Sequence, residues 1–264
     1  WAGGRGRACE GGKPRGGSAG GAGRGVRRRL ELARVPVAGP PNSEVLLEVG
    51  ARARDTMDRG VLHGWPGAFV LTVEALLDKW ASLLGRNRAA DAPLGSHHAR
   101  GIALPLAVSA EANAQLEFKL SGRIDGCASL LDASASYFSA SYTNARGPPL
   151  ERRHVPSVSL AAVLAGWLPT RGVAFAKIDA QGLDVAVLRS AGALVSRIAA
   201  VEVEVVRDGK KCPVQYAGAL SKCRTTEQAM RVLGFVPYGT NCSVHSFPEA
   251  LGCEGNMVFV RPGA

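Results

Sequence analysis

Apolar and polar positions alternate along the chain from Glu44 onwards in blocks that predict strands and helices in turn. Largely apolar runs of five or six residues, such as 45–49 and 173–178 with one charged residue each, are typical of strands that are buried on both faces. Between such runs, segments such as 76–84 carry apolar residues at the spacing of an amphipathic helix. Strands that alternate with helices predict an α/β fold with a mostly parallel sheet and helices on both faces.

The predicted elements follow one another to the end of the chain. The predicted strands are 45–49, 68–73, 102–108, 116–120, 173–178, 198–206, 235–238 and 257–260, and the predicted helices are a weak one after Gly50 and those at 76–84, 159–168, 184–191 and 225–233. The last two strands are expected to form an antiparallel pair at the sheet edge. The region from Gln115 to Pro156 is the least regular, and long irregular insertions of this kind tend to be functional.

Composition changes sharply before the first strand. Residues 1–43 are rich in Gly, Arg and Ala, so we predict a disordered tail at 1–43 and a single domain at 44–264. The tail contains nine Arg or Lys and two Glu, and so carries +7 of the formal net charge of +10. Binding of nucleic acid or of an anionic membrane is expected only through this tail, because the body lacks a basic and aromatic platform for stacking bases.

Hydropathy gives no sign of a membrane-spanning segment. No stretch reaches the roughly 18 apolar residues that a spanning helix requires. The first residues also lack the apolar centre of a signal peptide. We therefore expect no transmembrane helix in the chain.

Four of the six cysteines lie in the last quarter of the chain: Cys212, Cys223, Cys242 and Cys253. Disulfides, free thiols and a metal site are the alternatives, and the metal alternative rests on Cys242-x-x-His245. The local disulfide pairing joins Cys212 to Cys223 and Cys242 to Cys253. Disulfides require an oxidising compartment such as the secretory pathway, whereas free thiols fit the cytoplasm, so the localisation stays open.

An acidic residue, Asp179, directly follows the predicted strand at 173–178 and precedes a glycine turn and a helix. This pattern places Asp179 at the carboxyl edge of the sheet, where open α/β sheets bind their ligands. Asp179 is the first candidate catalytic residue, and capping of the following helix is the structural alternative. His245, in a loop near the C-terminus, is the second candidate because imidazole titrates near neutral pH.

The neighbours of Asp179 have expected roles of their own. Lys177 lies two residues earlier on the same strand face and is expected to pair with Glu202 or Glu204 on the next strand. Gly182 is expected to supply a positive φ for the turn. Gln181 offers an amide that can hydrogen-bond a ligand.

The ends of the first two strands carry a pattern typical of nucleotide binding. Glu48, Gly50 and Ala51 end the first strand, and Glu74 follows the second strand, 24 residues after Gly50. In nucleotide-binding α/β folds the first turn brings the backbone close to the ligand, and an acid about twenty residues later accepts hydrogen bonds from ribose hydroxyls. Ser109, after the third predicted strand, completes the candidate cofactor-binding residues.

Residues 44–260 resemble the FkbM-type S-adenosylmethionine-dependent methyltransferases. The resemblance is carried by Lys-Ile-Asp-Ala-Gln-Gly-Leu-Asp at 177–184, Val-Leu-Arg-Ser-Ala-Gly at 187–192, and the segments 48–51, 69–74 and 253–259. It implies a Rossmann-like class I methyltransferase fold, S-adenosylmethionine as cofactor, and methyl transfer to a hydroxyl of a small-molecule or glycan acceptor. It also implies that Gly50 and Asp179 face one another across the cofactor cleft.

The first turn departs from the pattern of that family. Arg52 stands where Asn is typical, and Arg54 stands where a second Gly is typical. Side chains at this turn predict either a blocked site or an altered backbone conformation, and a catalytically inactive binding protein of the same fold is the alternative function. Arg52 is also a candidate partner for the carboxylate of the cofactor. Because Gln181 stands where related sequences often carry Glu, we expect no metal.

Overall fold

The computed structural model of the protein describes residues 45–52, 65, 68–84, 101–120, 128–132, 134, 151–239, 242 and 253–263. Within these ranges the strands are β1 (Val45–Val49), β2 (Phe69–Val73), β3 (Gly101–Leu104), β4 (Ala107–Val108), β5 (Gln115–Leu120), β6 (Glu151–Val158), β7 (Val173–Ile178), β8 (Ile198–Val206), β9 (Val236–Pro237) and β10 (Glu254–Val260). The helices are α1 (Leu77–Leu84), α2 (Leu160–Trp167), α3 (Asp184–Arg189) and α4 (Cys223–Val232), and Gly192–Arg197 forms a 3-10 helix. None of the described helices is long and apolar enough to cross a membrane.

A seven-stranded sheet forms the centre of the molecule, in the order β3-β2-β1-β7-β8-β10-β9. Strands β1, β2, β3, β7 and β8 are parallel to one another, and β10 is antiparallel to both β8 and β9. The predicted fold class, a mostly parallel Rossmann-like α/β sheet with an antiparallel C-terminal edge, is confirmed. The strand order reverses between β1 and β7, so the topological switch point lies at the carboxyl ends of these two strands.

The last two strands pair antiparallel, as predicted, but β10 lies inside the sheet, between β8 and β9. Among the strands that the structure describes, β9 alone forms this edge, and it consists of two residues, Val236 and Pro237. The seven residues of β10 pair with β8 along their whole length. The sheet therefore ends in a much shorter strand than the sequence pattern predicts.

The two faces of the sheet pack against different parts of the chain. On one face, Leu164 of α2, Val187 of α3 and Met230 of α4 belong to the largest cluster of buried side chains. Burial of each such side chain contributes about 1.5–3 kcal/mol to folding. On the other face Phe175 packs against Trp65, with 6.2 Å between the ring centroids. In the described part of the chain α2, α3 and α4 thus cover the first face, and the weak helix predicted after Gly50 lies outside the described residues.

The strand predicted at 102–108 is two strands in two different sheets. Proline at 105 has no N–H to continue the ladder, and the N–H of Leu106 donates to the carbonyl of Leu104 at 3.1 Å. The chain therefore turns after β3. Strand β4 belongs to a separate three-stranded sheet in the order β4-β6-β5.

Strand β6 was not predicted, because it begins in the region that reads as irregular. Its first residues, Glu151, Arg152 and Arg153, are charged, and Pro156 interrupts any ladder that would need its N–H. The strand nevertheless pairs antiparallel with β5 along six residues of each, from Gln115 opposite Pro156 to the far end of the ladder. The insertion is therefore partly a small, half-exposed sheet.

Two disulfides fix the C-terminal part of the molecule, Cys212–Cys253 and Cys223–Cys242, with Cα atoms 5.2 and 5.6 Å apart. Of the three alternatives for these cysteines the structure has disulfides, and their pairing, which the sequence alone does not determine, is not the local one. Cys242 is consequently not available for the predicted metal motif, whose other member, His245, lies outside the described residues. The disulfide Cys212–Cys253 joins the loop after β8 to the start of β10.

Candidate functional site

The carboxyl ends of β1 and β7 are in direct contact at the switch point. The N–H of Asp179 donates to the carbonyl of Val49 at 3.0 Å, and the N–H of Gly50 donates to the carbonyl of Val73 at 2.9 Å. Gly50 has a φ of 79°, and a Cβ atom at this position would lie 2.0 Å from the carbonyl oxygen of Asp179. A glycine is therefore required at residue 50, and the structure brings Gly50 and Asp179 side by side as expected.

The turn after β1 contains a residue other than glycine with a positive φ. Arg52 has a φ of 51°, in the left-handed region where Asn is tolerated better than Arg. Its N–H donates to Glu74 Oε2 at 2.6 Å, and the N–H of Leu76 donates to Glu74 Oε1 at 2.8 Å. The Glu74 carboxylate therefore fixes the turn, and Ala51 is buried beneath it. Arg54 lies outside the described residues.

Glu74 is buried at the end of β2. Burial raises its pKa above the usual range, although the two backbone N–H groups act in the opposite direction. A carboxylate has about four acceptor positions, so those not used by the backbone remain to accept hydroxyl groups of a ligand. The role in binding ribose hydroxyls that the sequence predicts for Glu74 stays a prediction.

A row of polar side chains crosses three neighbouring strands just below the sheet edge. Glu48 of β1, Lys177 of β7 and Glu202 of β8 are partners in the ladder registers. Glu48 is fully buried in this row. Burial lowers the pKa of Lys177, but the carboxylates of Asp179, Glu48 and Glu202 together raise it above its usual value. Lys177 is therefore a cation held among carboxylates.

The hydrogen bond of Lys177 goes to a different partner from the one expected. Its Nζ lies 3.3 Å from Asp179 Oδ2, and Glu202 acts on it only through charge. The Glu202 carboxylate instead accepts a hydrogen bond from Asn256 Nδ2 at 2.8 Å. Lys177 consequently contacts the candidate catalytic carboxylate itself.

The turn after Asp179 is built from two residues with positive φ, Gln181 at 50° and Gly182 at 92°. The expected conformation of Gly182 is confirmed. Gln181 Nε2 donates to Asp179 Oδ1 at 2.7 Å, and the hydroxyl of Tyr216 donates to Gln181 Oε1 at 2.7 Å. The hydroxyl of Ser129 donates to the carbonyl of Gln181 at 2.9 Å. The Gln181 amide thus binds protein groups at both ends.

Asp184, the first residue of α3, ties the helix to the turn before it and to the sheet. Its Oδ1 accepts the N–H of Ala180 at 2.8 Å, and its Oδ2 accepts the N–H of Glu204 at 2.9 Å. Burial, together with the charge of Asp179, raises the pKa of Asp184 to about 7. The Asp179 side chain is left 34% exposed, so it can reach a ligand at the edge.

Ser109 lies at the end of β4, in the small sheet, whereas Gly50 and Glu74 end strands of the large one. Its N–H donates to the carbonyl of Val158 at 2.9 Å, and its hydroxyl accepts the N–H of Glu111 at 3.2 Å. Ser109 borders a cavity of about 330 Å³ between the small sheet and α3. The cavity is lined by Ser109, Ala110, Glu111, Leu116, Glu117, Lys119, Leu130, Leu131, Leu183, Ala186 and Val187.

Two residues at the site escaped the sequence interpretation, Tyr216 and Ser129. Tyr216 lies 35 residues after Gln181, in a loop without periodicity. Ser129 lies 52 residues before Gln181, in the irregular insertion. Neither belongs to a motif, so no signal in a single sequence would have found them. His245, the second catalytic candidate, lies outside the described residues.

Comparisons with known proteins identify no family for this chain. No protein-family model matches it, and no curated protein sequence matches it. Among solved structures, it is similar to the crystal structure of a fibrillarin/Nop5p complex, with 10% sequence identity and a TM-score of 0.40 over 84% of this chain and 74% of that chain. At this distance the similarity carries no information about activity.

Proposed function

We propose that the protein is an S-adenosylmethionine-dependent O-methyltransferase of the FkbM type, acting on a hydroxyl of a small-molecule or glycan acceptor. The observation that carries this proposal is the contact between Gly50 and Asp179 at the switch point of the sheet. Ligands of open α/β sheets bind at this place. In this proposal the glycine turn after β1 contacts the cofactor, and the carboxylate after the neighbouring strand β7 contacts the acceptor.

The residues of the first turn fit an adenosyl cofactor. Gly50 presents no side chain, and Arg52 follows it in a left-handed conformation that keeps the turn tight. Glu74, with acceptor positions left on both oxygens, would accept the ribose hydroxyls. The charge of Glu48 helps to keep Lys177 protonated, and Lys177 in turn contacts Asp179. The cofactor supplies an electrophilic methyl group on a sulfonium.

Asp179 would orient the acceptor hydroxyl by accepting its hydrogen bond. The acceptor oxygen then forms a bond to the methyl carbon while the carbon–sulfur bond breaks, which leaves a neutral thioether, and the hydroxyl proton passes to Asp179 or to water. Lys177 and Gln181 each donate to one oxygen of Asp179 and thereby hold the carboxylate in one orientation. Alignment of the acceptor in line with the methyl group is the main contribution that the protein makes to such a reaction.

Calorimetric titration with S-adenosylhomocysteine tests the cofactor half of this proposal, and labelled S-adenosylmethionine with a panel of sugars, phenols and lipids tests the acceptor half. We expect saturable binding and one labelled product class. Asp179→Asn is expected to lower kcat about a hundredfold with cofactor binding retained. Absence of heat at millimolar ligand would overturn the enzyme proposal.

The alternative is a binding protein that kept the fold and lost the chemistry. Arg52 in place of the typical Asn favours this alternative. The assay with labelled S-adenosylmethionine separates the two functions: the alternative predicts no transfer to any acceptor. It also predicts that Arg52→Asn restores cofactor affinity.

A further inference from the structure

We propose that Tyr216 is a positioning residue for Asp179 and acts through the side-chain amide of Gln181. This inference rests on the proposed function, because it concerns how the catalytic carboxylate is held. Its physical basis is a chain of hydrogen bonds, from Tyr216 to Gln181 and from Gln181 to Asp179, each 2.7 Å long.

The two bonds fix the orientation of the Gln181 amide. The carboxylate of Asp179 only accepts hydrogen bonds, so the amide must present its NH2 group to it. The amide oxygen then faces Tyr216, whose hydroxyl is able to donate. If the amide were flipped, its oxygen would face the Asp179 carboxylate, and two acceptors would be in contact. Only one orientation satisfies all three groups.

Gln181 is held in place by more than its side chain. Its φ of 50° lies in a region that residues other than glycine occupy only when their surroundings fix them there. The hydroxyl of Ser129 donates to its carbonyl at 2.9 Å. Gly182 fits closely beneath Tyr216, because a Cβ at this position would lie 3.0 Å from the Tyr216 ring. The turn and the tyrosine are therefore packed as one unit.

Tyr216 itself is fixed by the insertion. Tyr216 is buried, and the residues on both sides of it pair with the segment 128–134. The N–H of Ser134 donates to the carbonyl of Gln215 at 2.7 Å, and the N–H of Ala217 donates to the carbonyl of Asp132 at 2.7 Å. The insertion thus reaches the Asp179 carboxylate through Tyr216 and Gln181.

The consequence for the reaction is that both oxygens of Asp179 are oriented. Gln181 donates to Oδ1 and Lys177 to Oδ2, which leaves the exposed part of the carboxylate facing the site in a single orientation. Without the Tyr216 hydroxyl the Gln181 amide is free to rotate, and one of these two restraints is weakened. The turnover rate should then suffer, whereas cofactor binding at Gly50 and Glu74 should not.

The first test is spectroscopic and needs neither cofactor nor acceptor. In the NMR spectrum of the wild-type protein, one proton of the Gln181 NH2 group should be shifted downfield and protected from exchange, because it is bonded to a carboxylate. Tyr216→Phe and Asp179→Asn should each abolish this signature. Tyr238→Phe, which removes a hydroxyl from the residue after β9, is the matched control and should leave the signature unchanged. An unchanged Gln181 signal in Tyr216→Phe overturns the inference.

The second test is kinetic. Tyr216→Phe should lower kcat by about tenfold to a hundredfold and leave the affinity for S-adenosylhomocysteine within about twofold, unlike a general loss of structure. Ser129→Ala removes the hydrogen bond to the carbonyl of Gln181 in the same turn and should cause a smaller loss in kcat. If the wild-type protein shows the Gln181 signature but binds no cofactor, the proposed function fails while the positioning role stands. Equal kcat in wild type and Tyr216→Phe overturns the role in catalysis.

Discussion

At the scale of single residues, the site depends on backbone conformations that few side chains tolerate. Gly50 and Gly182 have positive φ values and close neighbours, and Arg52 and Gln181 have positive φ values without being glycine. Such conformations cost on the order of 1–3 kcal/mol for residues other than glycine and are retained where the surroundings fix them. All four residues lie in the two turns that end β1 and β7.

Gly50→Ala should therefore destabilise the protein more than an ordinary glycine substitution does. The new Cβ meets the Asp179 carbonyl oxygen at 2.0 Å, so the ends of β1 and β7 must separate. We expect a loss of about 3 kcal/mol or more in the free energy of unfolding, measured by urea titration, and weaker cofactor binding.

Gly192→Ala is the matched control for this substitution. Gly192 also has a positive φ, 54°, but a Cβ there would meet nothing within 4 Å. The Gly192→Ala variant should lose only about 1–2 kcal/mol in the free energy of unfolding, the cost of the backbone conformation alone. Equal losses for the two variants would contradict the close approach of Gly50 to Asp179.

At the scale of elements, the site is a junction between a strand, a turn and a short helix. Helix α3 has six residues and no side-chain cap on its N-cap residue, Leu183. It is attached instead by Asp184, whose two oxygens accept N–H groups from the turn and from β8. The position of Asp179 thus depends on a buried carboxylate that never reaches the ligand.

Asp184 should make the stability of the protein depend on pH. Its pKa is raised from the ordinary aspartate range to about 7 in the folded protein, so the folded state binds more protons than the unfolded state between about pH 4 and 7. Its contribution to stability is therefore full below about pH 4 and is lost as the pH rises through 7. Asp184→Asn should reduce the downward slope of unfolding free energy against pH in this window, by up to about 1.4 kcal/mol per pH unit.

Urea unfolding at several pH values between about 4.5 and 8 measures this slope. Asp132→Asn serves as the control, since the Asp132 side chain is 71% exposed and forms a salt bridge with Lys119. The control variant should keep the wild-type slope. A slope in Asp184→Asn equal to that of the wild type would show that Asp184 does not titrate in this range.

The sequence predicts the elements of the large sheet better than those of the insertion. Strands β1, β7 and β8 begin and end at the predicted residues because they are predominantly apolar runs bounded by turns. The small sheet is only half buried, so the charged residues at the start of β6 conceal its strand. The positions of Gly50, Glu74 and Asp179 follow from strand ends, whereas the contacts of Tyr216 and Ser129 depend on loop conformations that no periodicity encodes.

At the scale of the whole molecule, the disulfides connect the loop before α4, α4 itself and the end of the sheet. Cys212–Cys253 spans 41 residues of sequence and Cys223–Cys242 spans 19. Neither bond is local, so each restricts the unfolded chain over a long loop. The bond Cys212–Cys253 thereby links the loop after β8 to the start of β10, which lies inside the large sheet.

Removal of these bonds should therefore lower stability substantially. The double variant Cys212→Ser/Cys253→Ser should lose about 4 kcal/mol in the free energy of unfolding. Cys223→Ser/Cys242→Ser should lose about 3 kcal/mol, because its disulfide closes the shorter loop. Unfolding under non-reducing conditions measures both losses. Peptide mapping without reduction checks the connectivity, and linked peptides that join Cys212 to Cys223 would contradict it.

The shape of the sheet edge at β9 has a consequence for behaviour in concentrated solution. An unpaired strand edge is a template on which a second chain adds by backbone hydrogen bonds, and long flat edges promote fibril growth. Here the edge is two residues long, and one of them, Pro237, has no N–H to offer. In the part of the chain that the structure describes, β9 thus offers an incoming chain little backbone to pair with, which disfavours growth of the sheet from this edge.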